Sequence, residues 1–376
     1  YYRNFYDPYL REWSNGNTRW DIIDLVRAAH DLRPEGINWL RNEKNKPVFR
    51  LDKLTLANNI DHANAHDALA DVYATIALAK LIYEKQPRLL RYIFTHRTKD
   101  SIRQIVNLQT REPLVYTSPI FTSEKGCTSI VAPIAADPGN SNTLYFFDLR
   151  YDPKDLIALP ENEIRKRMFT SDKELPENEK LHIIKIQTNK CPVLSPVSTI
   201  DDKTAERLGL DLNQCKENSR KLNTEPLLTQ RFIKIFSNDG YGKSDADPDL
   251  QIYSGGFFKD KDKVSFEIIK TTPPDKLIDL KLIFQDTRIP ELFWRYKCRN
   301  YPEYMDNKTI KKWKSFCAGR VLFPPGKLIN DYHFFRRKIE ENLKDNDLNG
   351  REITVLKALD EYGEMIRKEV LEYTGA

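Results

Sequence analysis

The sequence predicts a chain in three zones: helical at the start, a small β barrel with helical insertions in the middle, and helical to the end. Two observations carry this. Short alternating or continuously apolar runs bounded by turn residues fall between residues 88 and 237, whereas helix-period runs dominate on either side. Gly/Pro- and Gly/Asp/Ser-rich punctuation then breaks the helical runs and separates the later zones.

Along the first zone, a polar-aromatic opening (YYRNFYDPYLREW) precedes an amphipathic helix, WDIIDLVRAAHDL, which LRPEG at 32–36 breaks. A short helix, LDKLTLANN, and a long alanine-rich one, DALADVYATIALAKLIYEK, follow, and Pro87 is expected to end the latter. In the middle zone PLVYTSPIF, TSIVAPIAA, TLYFFDLRY and LHIIKIQ read as strands, and ENEIRKRMF and DDKTAERLGL as helical inserts. The second insert has a start signal in Thr199 and Asp201. After a linker candidate, NDGYGKSDADPD at 238–249, strand character fades into IPELFWRYKCRNY, NKTIKKWKSF, NDYHFFRRKIEENLKD and REITVLKALDEYGEMIRKEVLEY, all at helical period.

Composition narrows the class. With 40% hydrophobic and 31% charged residues the chain is an ordinary globular one, and no apolar run reaches the ~18 residues that would span a bilayer. Five scattered cysteines without a C-x-x-C pair argue against a zinc ribbon or a disulfide scaffold and fit a reducing cytosol. The chain opens on Tyr rather than Met, so Tyr1 is not expected to be the natural start. Net charge is only +5, but residues 85–125 hold eight Lys/Arg against three Asp/Glu, and 295–320 eight against two, interleaved in the latter stretch with Tyr, Trp and Phe. Cations with aromatics suit single-stranded nucleic acid, and solvated helix faces are the plainer reading.

The most informative stretch is DHANAHDALAD, 61–71. A helix apolar nearly all round is expected to be buried, and a buried carboxylate is costly unless paired or metal-bound. His66 on the loop leading in and Asp71 in the first turns can converge to give one metal-coordinating carboxylate and one base, which metal-assisted phosphodiester hydrolysis requires. Alternatively, Asp67 caps the helix and Asp71 pairs with a basic residue.

NAHDALADVYATIALAKL resembles the third motif of the DEDDh 3′→5′ exonucleases, and specifically of the bacterial exonuclease I family. YRNFYDPY, RWDIIDLVRA, LRPEGINW, FRLDKLT, QPRLLRYIFTHR, NKCPV and VLKAL extend the resemblance in order across the chain. It implies an α/β fold class, with part of an RNase H-like exonuclease domain over 1–86, an SH3-like β-barrel domain with helical insertions over 87–237 and a C-terminal helical domain over 245–376. It also implies two Mg²⁺ ions (Mn²⁺ substituting), His66 as general base and Asp71 as metal ligand. The remaining family carboxylates would lie upstream of Tyr1, so the chain by itself is expected to be inert or nearly so. Single-stranded DNA and the C-terminal tail of single-stranded DNA-binding protein are the implied partners, and a monomer in the bacterial cytoplasm the implied setting.

Tyr9 and Trp13, four apart, would share a helix face and stack on bases. Arg27 and Arg50 interrupt apolar surroundings and can cross to a buried acid or fork a phosphate. The resemblance sets all four along the strand, with Lys99 as a further phosphate contact, Arg88, Arg91 and Arg111 as a general positive field, and Arg33 and Tyr92 in the pocket for the partner's tail. Two other readings compete. An HD-type phosphohydrolase built on His30, His66–Asp67 and a later Asp needs an all-helical fold and conflicts with the β-rich middle. A non-catalytic single-stranded DNA-binding module does not.

Overall fold

The computed structural model describes residues 1–62, 67–171, 174–236, 247–252, 254–324, 331–345 and 347–373, with the side chain of Trp13 excepted. The linker candidate and His66 therefore lie wholly or largely outside the described residues. The chain forms two compact units, Tyr9–Tyr241 and Tyr1–Pro8 with Gly242–Ala376. No described helix is long and apolar enough to cross a membrane.

The Tyr9–Tyr241 unit begins with α1 (Leu10–Trp13) and α2 (Ile23–Leu32). A two-stranded hairpin follows, β1 (Leu40–Arg41) with β2 (Pro47–Val48), then α3 (Leu51–Ala57) and α4 (Ala68–Lys85). The alanine-rich helix stops at Lys85, but Pro87 also starts α5 (Pro87–Thr95) at its first turn, where a missing N–H costs nothing. Helix α6 (Lys99–Ile105) precedes the sheet, so 87–105 is helical where β texture was expected to begin.

The sheet holds β3 (Leu114–Thr117), β4 (Thr128–Ala136), β5 (Thr143–Asp148), β6 (Ile183–Gln187) and β7 (Val193–Pro196), all antiparallel in the order β6-β5-β4-β3-β7. Helices α7 (Lys154–Ala158) and α8 (Glu161–Phe169) are inserted between β5 and β6, and α9 (Asp202–Leu208), α10 (Leu212–Asn223) and α11 (Leu228–Phe236) follow β7. Side-chain alternation feeds two cores. Ile130, Ala132, Tyr145 and Phe147 join the large core shared with α2, α4 and α11. Val131, Leu144, Phe146 and Ile184 point the other way, onto Ile102 of α6 and Phe121. Pro133, in the middle of a central strand, sits at the register shift between Pro133 and Ala135, where a lost donor does not break the ladder.

At the C-terminal end of α2 the carboxylate of Asp31, fully buried, accepts from the backbone N–H of Cys127 and the hydroxyl of Thr128, each at 2.6 Å, and lies 2.6 Å from His30 Nδ1. Arg207 of α9 donates to the carbonyls of His30 and Asp31. Gly126 is obligatory beside this knot, because a Cβ there would lie 2.5 Å from Asp31 Oδ1.

One expectation fails. Helix α4 is not buried all round. Ala74, Leu78 and Ile82 form its one buried stripe, while Leu69, Val72, Tyr73, Ile76 and Tyr83 are exposed. An apolar sequence shows that a face can be covered, but whether a partner is present depends on the rest of the fold.

In the other unit, α12 (Asp260–Thr271), α13 (Pro274–Leu277), α14 (Ile289–Asn300), α15 (Asn307–Leu322), α16 (Tyr332–Asn342) and α17 (Gly350–Glu372) follow one another. Asn349 and Glu352 form a reciprocal capping box at the start of α17. The opening segment packs here: Phe5 lies 4.9 Å from the Phe266 ring and 5.4 Å from Tyr296, and Arg299 donates to the Arg3 carbonyl at 2.6 Å. Arg295, itself buried, binds Asp247 at 2.6 Å, Asp249 at 2.9 Å and Glu291 at 2.9 Å.

Replacing Asp31 with Ala strands the buried Cys127 N–H, at about 1–3 kcal/mol, and takes one of the two partners of the Thr128 hydroxyl, which keeps Thr117 Oγ1 at 2.8 Å. Urea denaturation of the Asp31→Ala variant should show about 3 kcal/mol lost; a midpoint equal to the parent's would show that the knot does not hold the unit together.

Candidate active site and nucleic-acid interface

Asp71 occupies the first turn of α4. Asp67 caps that helix, its carboxylate accepting from the N–H groups of Leu69 and Ala70 at 3.1 Å, so the capping half of the plainer reading holds. The Asp71 carboxylate, 46% exposed, takes its hydrogen bond from His62: Nε2 lies 2.8 Å from Oδ1, and the imidazole is only 5% exposed. On its other side His62 Nδ1 is 3.3 Å from Thr55 Oγ1 in α3. Sequence reasoning missed His62 although it stands four residues before His66 in the same segment. Its role arises from a loop that folds back through a left-handed Asn59 (φ 55°), which spacing alone does not reveal.

Asp71 fits as one oxygen ligand of a divalent cation, being ionisable, accessible and hydrogen-bonded from behind. Among the described residues no group of three or more His, Cys, Asp or Glu converges as a metal site, so Asp71 stands as a single candidate oxygen donor.

The DNA-facing candidates fare differently from one another. Tyr9 takes the N-cap position of α1 and Trp13 its last residue, which puts them one helical turn apart in a one-turn helix. Arg27 crosses to an acid: its guanidinium, 17% exposed, lies 2.5 Å from Asp24 and over the Phe49 ring at 5.9 Å. Burial raises the Asp24 carboxyl above its ordinary range, against the pull of Arg27. Arg50 is the open one. It stands at the N-cap of α3, 66% exposed, and forks Asp52 at 3.1 and 2.9 Å, which holds the Asp52 carboxyl below its usual range. Such a solvent-screened pair is weak, so the fork is open to exchange for another anion. Lys99 is exposed in the first turn of α6, behind the Thr98 cap.

Arg33 donates to the carbonyls of Leu32 and Thr199, the latter at 3.1 Å, and so bridges α2 to the turn before α9. The Tyr92 ring lies tilted 4.1 Å from the His96 ring, and its buried hydroxyl has no hydrogen-bond partner among the described residues; burial pushes its pKa up. Arg91 lies over Tyr83. Arg111 departs from the positive-field reading, because it is buried and donates to the carbonyls of Leu222 (2.8 Å) and Glu225 (2.9 Å) as an internal strut. In the second basic stretch Arg295 and Arg320 are likewise taken up by Asp247 and Asp249, while Lys311, Lys312 and Lys314 are exposed.

Comparisons with known proteins give this geometry a context. Residues 97–238 match the family model for the exonuclease I SH3-like domain, and 246–366 that for the exonuclease I C-terminal domain. The chain is 38% identical over 367 residues to exodeoxyribonuclease I of Escherichia coli, covering 97% of this chain and 76% of the relative. The crystal structure of E. coli exonuclease I with a dA16 oligonucleotide matches with a TM-score of 0.88 over 97% of this chain and 76% of that one, at 38% identity. A zinc-bound form of the E. coli enzyme with single-stranded DNA (TM-score 0.86, 38% identity) covers the same shares, and an SSB/exonuclease I structure with an inhibitor (TM-score 0.82, 37% identity) covers 97% and 75%. The α/β organisation, the middle domain and the helical C-terminal domain implied by the sequence are thereby found, and the chain belongs to the exodeoxyribonuclease I family of DNA-hydrolysing enzymes.

Proposed function

We propose that this chain serves 3′→5′ hydrolysis of single-stranded DNA to 5′-mononucleotides, in DNA repair and recombination in a bacterial cytoplasm. The observation that carries the reading is the match, over 97% of the chain, to E. coli exonuclease I crystallised on dA16. Asp71 would hold a divalent cation, Mg²⁺ or Mn²⁺, which when bound activates water and stabilises the leaving oxygen. His66, five residues before it, would accept the proton of the attacking water. Arg50 and Lys99 would contact phosphates, Tyr9 and Trp13 would stack on bases, and Arg27 would contribute mainly by holding Asp24 and the Phe49 ring. Two ions need more carboxylates than Asp71, so the reading assigns the others to residues outside this sequence and expects these 376 residues alone to bind DNA rather than cut it. A monomer is proposed, with Arg33 and Tyr92 lining the surface that takes the tail of single-stranded DNA-binding protein, a reading supported by the SSB/exonuclease I structure.

With Mg²⁺, the complete gene product should shorten a 5′-labelled single strand from its 3′ end and stop at duplex; EDTA should abolish this. His66→Ala should lower turnover by about 10²–10⁴-fold with little change in DNA affinity, whereas Asp71→Ala should abolish it. Digestion from the 5′ end, or persistence in EDTA, would overturn the 3′→5′ metal-dependent reading, and no digestion at all by the complete gene product would leave the binding-module reading.

Among the cations, Arg50→Ala should reduce the magnitude of the slope of log K against log salt by about 0.7 for single strands, the share of one phosphate. Fluorescence anisotropy of a labelled oligonucleotide across a salt series measures it; an unchanged slope removes Arg50 from the strand.

A further inference from the structure

The assignment of Asp71 as a metal ligand leaves open what aims its carboxylate. An aspartate in the first turn of a helix has several accessible rotamers, and one 46% exposed has little packing to choose among them. Here the choice is made by a neighbour. We infer that His62 is a positioning residue for Asp71: its buried imidazole, seated on Thr55, fixes the rotamer in which the Asp71 carboxylate meets a cation.

The proton lies on Nε2, because an ionised carboxylate can only accept, and the 2.8 Å separation is a full hydrogen bond. The support behind the ring is rigid. Thr55 is fully buried in α3, its hydroxyl 2.8 Å from the Leu51 carbonyl and 3.3 Å from His62 Nδ1, so its one proton is donated to one or the other acceptor from a fixed position. The loop that delivers His62 is built back onto the same residue, with the Ile60 N–H on the Thr55 carbonyl at 2.9 Å. An ordinary surface pair would have two mobile partners and little hold on either rotamer. This pair has one partner 5% exposed and anchored, and the other open to solvent. That asymmetry is what a ligand held from behind needs, and such outer partners typically govern metal affinity about 10–100-fold.

The inference rests on Asp71 being a metal ligand, and the test separates the two. In the complete gene product, Mn²⁺ binding is followed by the electron paramagnetic resonance of the free ion, alongside turnover against Mg²⁺ concentration. His62→Ala should weaken Mn²⁺ binding about 10–100-fold and raise the half-saturating Mg²⁺ by a similar factor, with kcat at saturating Mg²⁺ nearly kept. His62→Gln, which can present an N–H near the position of Nε2, should return Mn²⁺ affinity to within about threefold of the parent, and it decides the matter alone should the Ala variant not fold. Unchanged Mn²⁺ affinity in His62→Ala, or a Gln variant as weak as the Ala one, would overturn the positioning role. Unchanged Mn²⁺ affinity in Asp71→Ala would overturn the ligand reading beneath it.

Discussion

The buried carboxylate of Asp31 is the constraint on which the arrangement of the Tyr9–Tyr241 unit depends. It stands at the C-terminal end of α2, where the helix dipole disfavours a negative charge, and inside the protein, where an unpaired charge would cost several kcal/mol. Two short bonds from Cys127 and Thr128, with His30 alongside, offset that cost only while the start of β4 stays in place. Because Gly126 leaves no room for a Cβ, α2 cannot slide along the sheet without losing all of them together. The α2 end carbonyls, which have no partner within the helix, are taken by Arg207 and Arg33. One helix end is thereby tied to β4 and α9, and the two arginines that α2 presents, Arg27 in its middle and Arg33 at its end, have fixed positions as a consequence.

Much of this was legible in the sequence where a local rule decides the outcome. Asp67 and Asp201 cap helices as such residues do, and the runs around Val131 and Phe146 are continuous apolar strands because the sheet is covered on both faces. The misses share a different cause. Strand β7 is four residues ending at Pro196, too short for a periodicity, and exists because β3 offers it a partner through Val193–Ser195. The stretch 87–105 has no capping signal stronger than Pro87 and Thr98, and folds as helix because Ile93 and Ile102 each reach a core. In the site, Asp71 was legible as half of a motif. His62 was not, since its approach depends on the left-handed turn at Asn59 rather than on any spacing to Asp71.

Charge counting misled in a way that has a physical remedy. Both basic stretches look like phosphate surfaces in the sequence, yet their arginines and lysines divide by what encloses them. Arg111, Arg295 and Arg320 satisfy carbonyls or carboxylates inside their own units, and a guanidinium so paired sheds few counterions when DNA arrives. Lys99, Lys311, Lys312 and Lys314 remain exposed, as do Arg88, Arg91 and Arg103, whereas Lys297 donates to the Ile278 carbonyl at 3.2 Å. The buried cations of these stretches, Arg111 and Arg295, are both arginines, and the planar, weakly hydrated guanidinium tolerates enclosure by several acceptors where the compact ammonium resists it. Arg50 differs from the enclosed arginines in being 66% exposed, with its fork engaged by Asp52.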